Sequence, residues 1–245
     1  MLRRVITEAA VEEALLSLFI AAEGTQLRRE DRKKAVEVAA LLRELTRHSK
    51  KPLLVDAAAG KAYVGLLAAA LLGFRRVCII ERESKRVEAC RVAASRMGTN
   101  ITLDLVEGDV EDPASFPSSP DVIVGLHACG SASDAIIDAT IRTNAKWLYL
   151  VPCCYAETVP FAASATTLAE KLGISKQAEI RRRFVMAIVD AERVSRLECA
   201  GYEVTTSAFV PPTITPHNML LTARRVGEPS RMERAKERRA RLLSA

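Results

Sequence analysis

The segment from Leu53 to Gly65 constrains the fold of this chain more than any other. It starts as an apolar run that ends in Asp56, passes through four small residues at 57–60, and then becomes apolar at helical spacing as far as Leu72. This pattern predicts a buried strand, a tight turn and a helix, the opening of a nucleotide-binding βαβ unit. Small side chains let a ligand approach the backbone closely, and the amides of the helix N-terminus point toward it.

A second acid follows this turn at the spacing of a ribose-binding carboxylate. The next apolar run, Val77–Ile80, is closed by Glu81, which lies 21 positions after Gly60. A carboxylate at that distance sits at the tip of the next strand, where it can accept hydrogen bonds from ribose hydroxyls. The alternative is a purely structural strand-turn-helix joint with a chance acid; the combination of turn and acid favours ligand binding.

The chain beyond residue 52 alternates between strand-like and helix-like runs. Strands are predicted at 53–56, 77–81, 101–106, 122–126 and 147–151, with helices at 62–72, 84–97 and 132–142. Helical segments at 162–172 and 176–200 then lead to strand-like runs at 202–210 and 219–226. This order predicts an α/β fold: a Rossmann-like, seven-stranded, mostly parallel sheet with a C-terminal antiparallel hairpin, plus N-terminal helices.

Helical patterns flank the predicted sheet on both sides. Apolar residues recur at helical spacing over 5–22 and 29–48, and the last residues form a charged helical segment. We therefore expect an N-terminal helical extension over 1–50, the sheet domain over 51–227 and a basic C-terminal helix over 228–245.

The charge balance permits an anionic partner without requiring one. The net charge is +6, and arginine, which supplies most of the positive charge, suits planar anion recognition. Basic groups at Arg28–Lys34, Arg181–Arg183 and Arg231–Arg241 favour RNA, or an RNA-bound protein, as a partner. No run approaches the ~18 apolar residues of a membrane span, and the six cysteines predict reduced thiols in a cytoplasmic protein.

The remaining candidate site residues can be divided by the edge of the sheet at which they are predicted to lie. Ligands of an open α/β sheet lie beyond the carboxyl ends of its strands. The tips of two adjacent predicted strands carry side chains that can bind a ligand or take part in a reaction. They are His127, Cys129, Cys153, Cys154 and Tyr155. Asp121 begins a strand instead, so we expect it at the opposite edge.

Three explanations compete for that group of residues. A zinc site would use His127 and the cysteines, but no C-x-x-C pair is present and Cys153 and Cys154 are adjacent, which is awkward for two ligands of one ion. A Cys/His nucleophile pair is the second explanation. We favour the third, in which compact residues shape a cofactor and substrate pocket without a metal, with Cys153 and Tyr155 on the substrate side.

Three further polar residues have candidate roles. His127 can donate a hydrogen bond or act as a base near neutral pH. Asp109 follows the third strand and either forms a turn or accepts from an adenine amino group; its position beside the other tips favours the second role. Asn218 precedes the last strand and is either a turn residue or a substrate contact.

Together these motifs resemble class I S-adenosylmethionine-dependent methyltransferases. The acid and small residues at Asp56–Gly60, the acid Glu81, the Gly-Asp pair ending at Asp109 and the final hairpin match that superfamily over roughly residues 30–226.

Four stretches resemble a narrower group within that superfamily. They are Lys33-Lys-x-x-Glu37, Asp56–Gly65, His127-Ala-Cys-Gly130 with Asp134, and Pro152-Cys-Cys-Tyr155. The group includes the methyltransferase domain of the glutathione S-transferase C-terminal domain-containing protein and, more distantly, eukaryotic tRNA ribose 2′-O-methyltransferases.

The resemblance implies S-adenosylmethionine as the cofactor and assigns roles by position. Asp56 and the backbone of Ala57, Ala58, Ala59 and Gly60 would hold the methionine part of the cofactor. Glu81 would take the ribose hydroxyls, Asp109 the adenine amine, and Leu126 and His127 would lie beside the sulfonium and the acceptor.

One departure from the superfamily keeps two other hypotheses open. Glycines usually stand where Ala57–Ala59 stand here, and a methyl group at Ala58 limits positive φ and narrows the cleft. A non-catalytic cofactor-binding or scaffold protein is therefore one alternative. A nicotinamide-dependent oxidoreductase is the other, although the chain has no intact G-x-G-x-x-G and ends its predicted sheet with a hairpin.

Overall fold

The computed structural model describes residues 5–20, 26–48, 53–98, 101–155 and 158–244. In these ranges it confirms the predicted seven-stranded sheet. The strands are β1 (Leu53–Ala57), β2 (Arg76–Glu81), β3 (Thr102–Glu107), β4 (Val122–Ala128), β5 (Trp147–Pro152), β6 (Tyr202–Ala208) and β7 (Met219–Arg225). The helices are α1 (Glu8–Leu15), α2 (Arg29–Leu45), α3 (Tyr63–Leu67), α4 (Ser84–Ser95), α5 (Ala132–Arg142), α6 (Ala162–Lys171), α7 (Ala178–Cys199) and α8 (Pro229–Ser244).

The order of the strands places a crevice at the centre of the sheet. The order is β3-β2-β1-β4-β5-β7-β6, with parallel pairing from β3 through β5 and antiparallel pairing on both sides of β7. The direction in which the chain builds the sheet reverses between β1 and β4. Ligands of open α/β sheets bind at such a switch point, beyond the carboxyl ends of the strands.

Helices cover both faces of the sheet, which explains why its central strands are almost uniformly apolar. Side chains alternate along a strand, so Leu54 packs in one buried cluster with Val38 and Leu42 of α2. Its neighbour Val55 packs in a second cluster with Ile136 of α5.

The two N-terminal helices belong to the core of the sheet. Val11 of α1 and Leu41 of α2 are fully buried in the same cluster as the strands. The structure differs from the predicted bounds at both helices: α1 continues beyond Leu15 as a π-helical turn to Ile20, and α2 ends at Leu45, before His48. The predicted continuation over residues 21–22 lies outside the described residues.

The C-terminal helix α8 docks on α7 through ion pairs. Arg238 Nη2 lies 2.5 Å from Glu198 Oε2 and Arg239 Nη2 lies 2.8 Å from Glu192 Oε1, while Ala235 is fully buried. Much of the basic charge of this helix is therefore paired within the fold. Among the described helices, none combines the length and apolar character needed to cross a membrane.

Asp121 lies at the amino edge of the sheet, as expected. Its Oδ2 accepts a hydrogen bond of 2.9 Å from the Leu53 N–H, and Lys146 Nζ lies 2.6 Å from its Oδ1. This carboxylate joins the beginnings of two strands and takes no part in the crevice at the opposite edge.

Candidate functional site

A cleft of about 220 Å³ lies at the carboxyl ends of β1, β2, β3 and β4. Its walls include five residues that the sequence singled out: Ala58, Glu81, Asp109, His127 and Cys129. The parallel strands bring these residues together from positions up to 71 apart in the chain. Arg82 and Arg86 complete the rim beside Glu81.

The turn after β1 adopts a conformation that alanine rarely takes. Ala58 has φ of 53° and Gly60 has φ of 60°, and Ala62 before α3 also lies in the left-handed region. For a residue with a Cβ this costs roughly 1–2 kcal/mol. The Ala59 N–H donates to the Ile80 carbonyl at 3.0 Å, which ties the turn to β2. The sequence indicated that alanine would limit positive φ here; the chain adopts it nevertheless.

Asp56 lies beneath this turn rather than on the wall of the cleft. Asp56 is only 2% exposed. Its Oδ2 accepts a hydrogen bond of 2.7 Å from the Gly65 N–H of α3. Burial, with a contribution from the nearby Glu81 carboxylate, raises the pKa of Asp56 to about 7. Ala57 is fully buried as well, so the cofactor contacts predicted for Asp56 and for the backbone of Ala57 stay predictions.

Glu81 is a fixed acceptor at the tip of β2. Its Oε2 accepts from the Gly60 N–H at 2.7 Å and its Oε1 from the Glu83 N–H at 2.9 Å. Arg86 Nη1 lies 3.9 Å from the same carboxylate. Each carboxylate oxygen has a second lone pair, so Glu81 can hold the turn and still accept from hydroxyl groups in the cleft.

Asp109 follows β3 and lies on the wall of the same cleft. Its Oδ1 accepts from the Glu111 N–H at 3.0 Å, and its Oδ2 lies 3.6 Å from Arg82 Nη1. Because its side chain is 42% exposed, the carboxylate remains accessible to an amino group of a ligand.

His127 stands on a bulge at the end of β4. Leu126 pairs with Val151 and Ala128 with Pro152, so His127 is one residue extra in this strand. It has φ of 58°, a conformation that is uncommon outside glycine and that concentrates at functional sites. A bulge re-aims the side chain that it carries, and here the imidazole is directed toward Glu37 of α2.

Glu37 of α2 is the hydrogen-bond partner of the His127 imidazole. His127 Nε2 lies 2.9 Å from Glu37 Oε1, and Lys34 Nζ contacts Glu37 Oε2. Burial raises the pKa of Glu37, but hydrogen bonds from His127 and Lys34 outweigh it and hold the pKa below its usual value. An ionised Glu37 keeps a proton on Nε2 and leaves Nδ1 as the acceptor of a neutral imidazole. No role was predicted for Glu37, although the Lys-Lys-x-x-Glu pattern had marked it.

The three cysteines of the adjacent tips come together as predicted. Cys154 Sγ lies 3.3 Å from Cys129 Sγ and 3.6 Å from Cys153 Sγ. The Cys153 thiol also donates to the His127 carbonyl at 3.5 Å. Burial raises the pKa of Cys153 and of Cys129. The His127 ring does not join this cluster, because it is directed toward Glu37.

Tyr155 turns away from the thiols into a buried polar network. Its hydroxyl donates to Asp190 at 2.8 Å, and the guanidinium of Arg193 lies 5.3 Å from the centre of its ring. Arg193 is 0% exposed and donates to Asp134 Oδ2 at 2.7 Å. The network fixes the tip of β5 to α5 and α7. Neither Asp190 nor Arg193 was singled out from the sequence, because their positions in a long amphipathic helix carry no local motif.

Asn218 closes the loop between β6 and β7. Its side-chain Nδ2 donates to the Val210 carbonyl at 2.9 Å, and its backbone carbonyl accepts from the Phe209 N–H at 3.0 Å. These two hydrogen bonds agree with a role of Asn218 in stabilising the turn. Contact with substrate at Cys153, Tyr155 or Asn218 stays a prediction, as does the position of Leu126, half-buried on β4, beside a sulfonium.

A comparison with protein families identifies the family of this chain. Residues 30–159 match the model of a family described as a methyltransferase domain, which is more than half of the chain. This chain belongs to the methyltransferase domain family. The match includes every strand tip that lines the cleft, and it confirms the family resemblance stated from the sequence.

Individual relatives match the narrower group that the sequence resembles. The human glutathione S-transferase C-terminal domain-containing protein is 25% identical over 189 residues, covering 69% of this chain and 29% of that protein. The chain thus spans less than a third of the length of this relative.

Two solved structures show the fold. Magnesium protoporphyrin IX methyltransferase from Synechocystis, with bound SAH, has a TM-score of 0.52 at 15% identity and covers 89% of this chain and 99% of its own. The fibrillarin pre-rRNA processing protein of Methanococcus jannaschii has a TM-score of 0.50 at 13% identity and covers 78% and 75%. The Rossmann-like fold predicted from the sequence is confirmed.

Proposed function

We propose that this chain transfers the methyl group of S-adenosylmethionine to a nucleophilic acceptor, and that the acceptor class is RNA. One observation supports the proposal above the others. The cleft at the switch point of the sheet brings Ala58, Glu81, Asp109 and His127 together on its walls. Ala58, Glu81 and Asp109 suit a nucleoside with a charged tail, and His127 suits the group that accepts the methyl.

The cofactor side of the cleft offers acceptors where a nucleoside offers donors. Glu81, held by two backbone amides, accepts from the ribose hydroxyls through its remaining lone pairs. Asp109 accepts from the adenine amine. The turn from Ala57 through Ala59 to Gly60 leaves little side-chain bulk beside the methionine part, and Leu126 lies toward the sulfonium.

The acceptor side contains the pair of His127 and Glu37. Methyl transfer is an in-line displacement at the sulfonium, so the protein's main task is alignment of donor and acceptor. Glu37 fixes the ring through Nε2, and Nδ1 then faces the acceptor, as a hydrogen-bond acceptor or as the base that takes its proton. His127→Gln should lower kcat and leave binding of S-adenosylhomocysteine unchanged. Loss of cofactor binding in this variant would remove His127 from the acceptor side.

The cofactor assignment is tested by calorimetric titration with S-adenosylhomocysteine. Wild type is compared with Glu81→Gln, which keeps an oxygen acceptor for the backbone amides but loses the charge, and with Glu83→Gln, an exposed control two residues away. We expect at least tenfold weaker binding for Glu81→Gln, since a hydrogen bond to a charged group is worth about 1.5–3 kcal/mol. The Glu83 variant should bind as wild type. Equal affinities in all three proteins, or no binding by wild type, would contradict the assignment; NADH serves as the negative control.

The RNA assignment rests on the distribution of basic residues. In Arg28–Lys34 and Arg181–Arg183 the arginines other than Arg181 are exposed, whereas Lys33, Lys34 and Arg181 are half-buried. Several of these charges are paired, as Arg182 and Arg183 are with Glu179. Incubation with labelled methyl donor and fractionated cell RNA and protein decides the acceptor class. Label in RNA, with binding that falls steeply as salt rises, supports the proposal, and label in protein alone overturns it.

A non-catalytic cofactor-binding protein is the second candidate, because the methyl group of Ala58 lies on the wall of the cleft. Binding of S-adenosylhomocysteine without methyl transfer to any fraction would favour it. The free cysteines suit a reducing compartment, so a cytoplasmic location belongs to this proposal as well.

A further inference from the structure

Three thiols from two strand tips meet beside the cleft. Cys129 follows β4, and Cys153 and Cys154 follow β5. The three sulfur atoms all lie within 4.8 Å of one another. The cluster is graded in exposure: Cys153 is buried, Cys154 is half-buried and Cys129 is exposed.

The separations between the sulfur atoms suit one metal ion. A zinc–sulfur bond is about 2.3 Å long, so two thiolates of a tetrahedral zinc ion lie about 3.8 Å apart. The observed separations of 3.3 Å and 3.6 Å need only small adjustments to reach that value. The adjacency of Cys153 and Cys154, which argued against shared ligation in the sequence, is no obstacle, because their sulfur atoms lie on the same side of the chain.

The surroundings also suit a negatively charged metal–thiolate group. Helix α5 has 11 residues and begins at Ala132, shortly after Cys129. The partial positive charge at the N-terminus of this helix favours a thiolate beside it. The Cys129 carbonyl accepts from the Ala132 N–H at 3.1 Å, which holds the cysteine against the helix. Cys129 also lines the cleft, so a fourth coordination position on its exposed side is open to solvent.

We propose that Cys129, Cys153 and Cys154 form a zinc site with three thiolate ligands and water in the fourth position. The ion joins the tips of β4 and β5, and thereby braces the bulge that carries His127. Binding breaks the three S–H bonds and forms three Zn–S bonds, and it releases three protons and the displaced waters of the hydrated ion to solvent, with no change of oxidation state. The proposal is independent of methyl transfer, because it depends on the cysteines alone.

Cobalt and zinc titrations of the full chain, stripped of metal and kept reduced without oxygen, test the site. Co²⁺ should give thiolate charge-transfer absorbance and the intense visible bands of a tetrahedral ion, saturating at one equivalent, and Zn²⁺ should abolish them. Cys129→Ser is the decisive variant, since this exposed side chain can change without disturbing the core. Loss of an outer partner of a metal site already costs 10–100-fold in affinity, so loss of a ligand should weaken zinc binding by about 100-fold or more.

Cys199→Ser is the matched control, because Cys199 is a half-buried thiol on α7 outside the cluster. It should bind Zn²⁺ as wild type does. Circular dichroism of each variant checks that the fold is kept, and Cys154→Ser provides a second test. The proposal is overturned if reduced wild type shows no cobalt–thiolate absorbance, or if the Cys129 and Cys199 variants bind zinc equally well.

Discussion

The buried carboxyl of Asp56 makes the stability of the protein depend on pH in an unusual direction. Most carboxyls stabilise the folded state as they ionise, because their partners lower the pKa. Asp56 has one strong partner, the Gly65 N–H at 2.7 Å, and burial beside the Glu81 carboxylate outweighs it. The pKa rises from 3.8 to about 7 in the folded protein.

The size of the effect follows from that difference. Above pH 4 the unfolded chain loses the Asp56 proton, whereas the folded protein keeps it until about pH 7. The contribution is therefore fully present below pH 4 and is lost as the pH rises through 7. At ~1.4 kcal/mol for each pKa unit, the whole loss is about 4 kcal/mol. About 3 kcal/mol of it falls between pH 5 and pH 8.

Urea unfolding of wild type and Asp56→Asn at pH 5, 6, 7 and 8 measures this contribution. Asparagine keeps an oxygen for the Gly65 N–H but does not titrate, so histidines and other groups contribute equally to both proteins. The free energy of unfolding of wild type should fall by about 3 kcal/mol relative to the variant over this range. Parallel pH profiles for the two proteins would refute the reasoning, since Asp56 would then have an ordinary pKa in the folded state.

Three further substitutions test the packing around the site, each by urea unfolding. Arg193→Met should cost about 3–5 kcal/mol, because it leaves the buried Asp134 short of a partner, whereas the exposed Arg183→Met should be nearly neutral. Gly65→Ala should cost about 1–3 kcal/mol, since its Cβ would lie 3.0–3.2 Å from three side-chain atoms. Tyr202→Phe should cost about 1–2 kcal/mol, because the hydroxyl lies 2.8 and 2.9 Å from two backbone carbonyls. Changes within 0.5 kcal/mol would contradict each estimate.

The sheet could be predicted because its signals are local. Four of the five parallel strands are short apolar runs, whereas the edge strand β3 alternates between apolar and polar residues. Small residues such as Gly98 end the helices. The ends of the strands then follow from topology, since every carboxyl end of a parallel sheet lies at one edge. That rule was sufficient to bring Ala58, Glu81 and Asp109 to one cleft, although they lie at the ends of three different strands.

The geometry within the site could not be predicted in the same way. The direction of the His127 side chain depends on one extra residue in β4 relative to β5, and sequence periodicity does not reveal such a bulge in a parallel pair. Tyr155 was predicted beside the thiols, but the buried Arg193 and Asp190 attract its hydroxyl toward α7. Both outcomes depend on pairings between residues that are far apart in the chain.

The cleft thus has two sides with different origins. The cofactor side is built from loops directly after strands, so its residues recur at spacings that a sequence can reveal. The acceptor side depends on Glu37 from a helix that precedes the sheet and lies 90 positions from His127. A change in α2 can therefore alter the position of the imidazole while leaving the nucleoside contacts intact. For this reason Glu37→Gln should reduce kcat without weakening binding of S-adenosylhomocysteine, and joint loss of both would show that the two sides do not act separately.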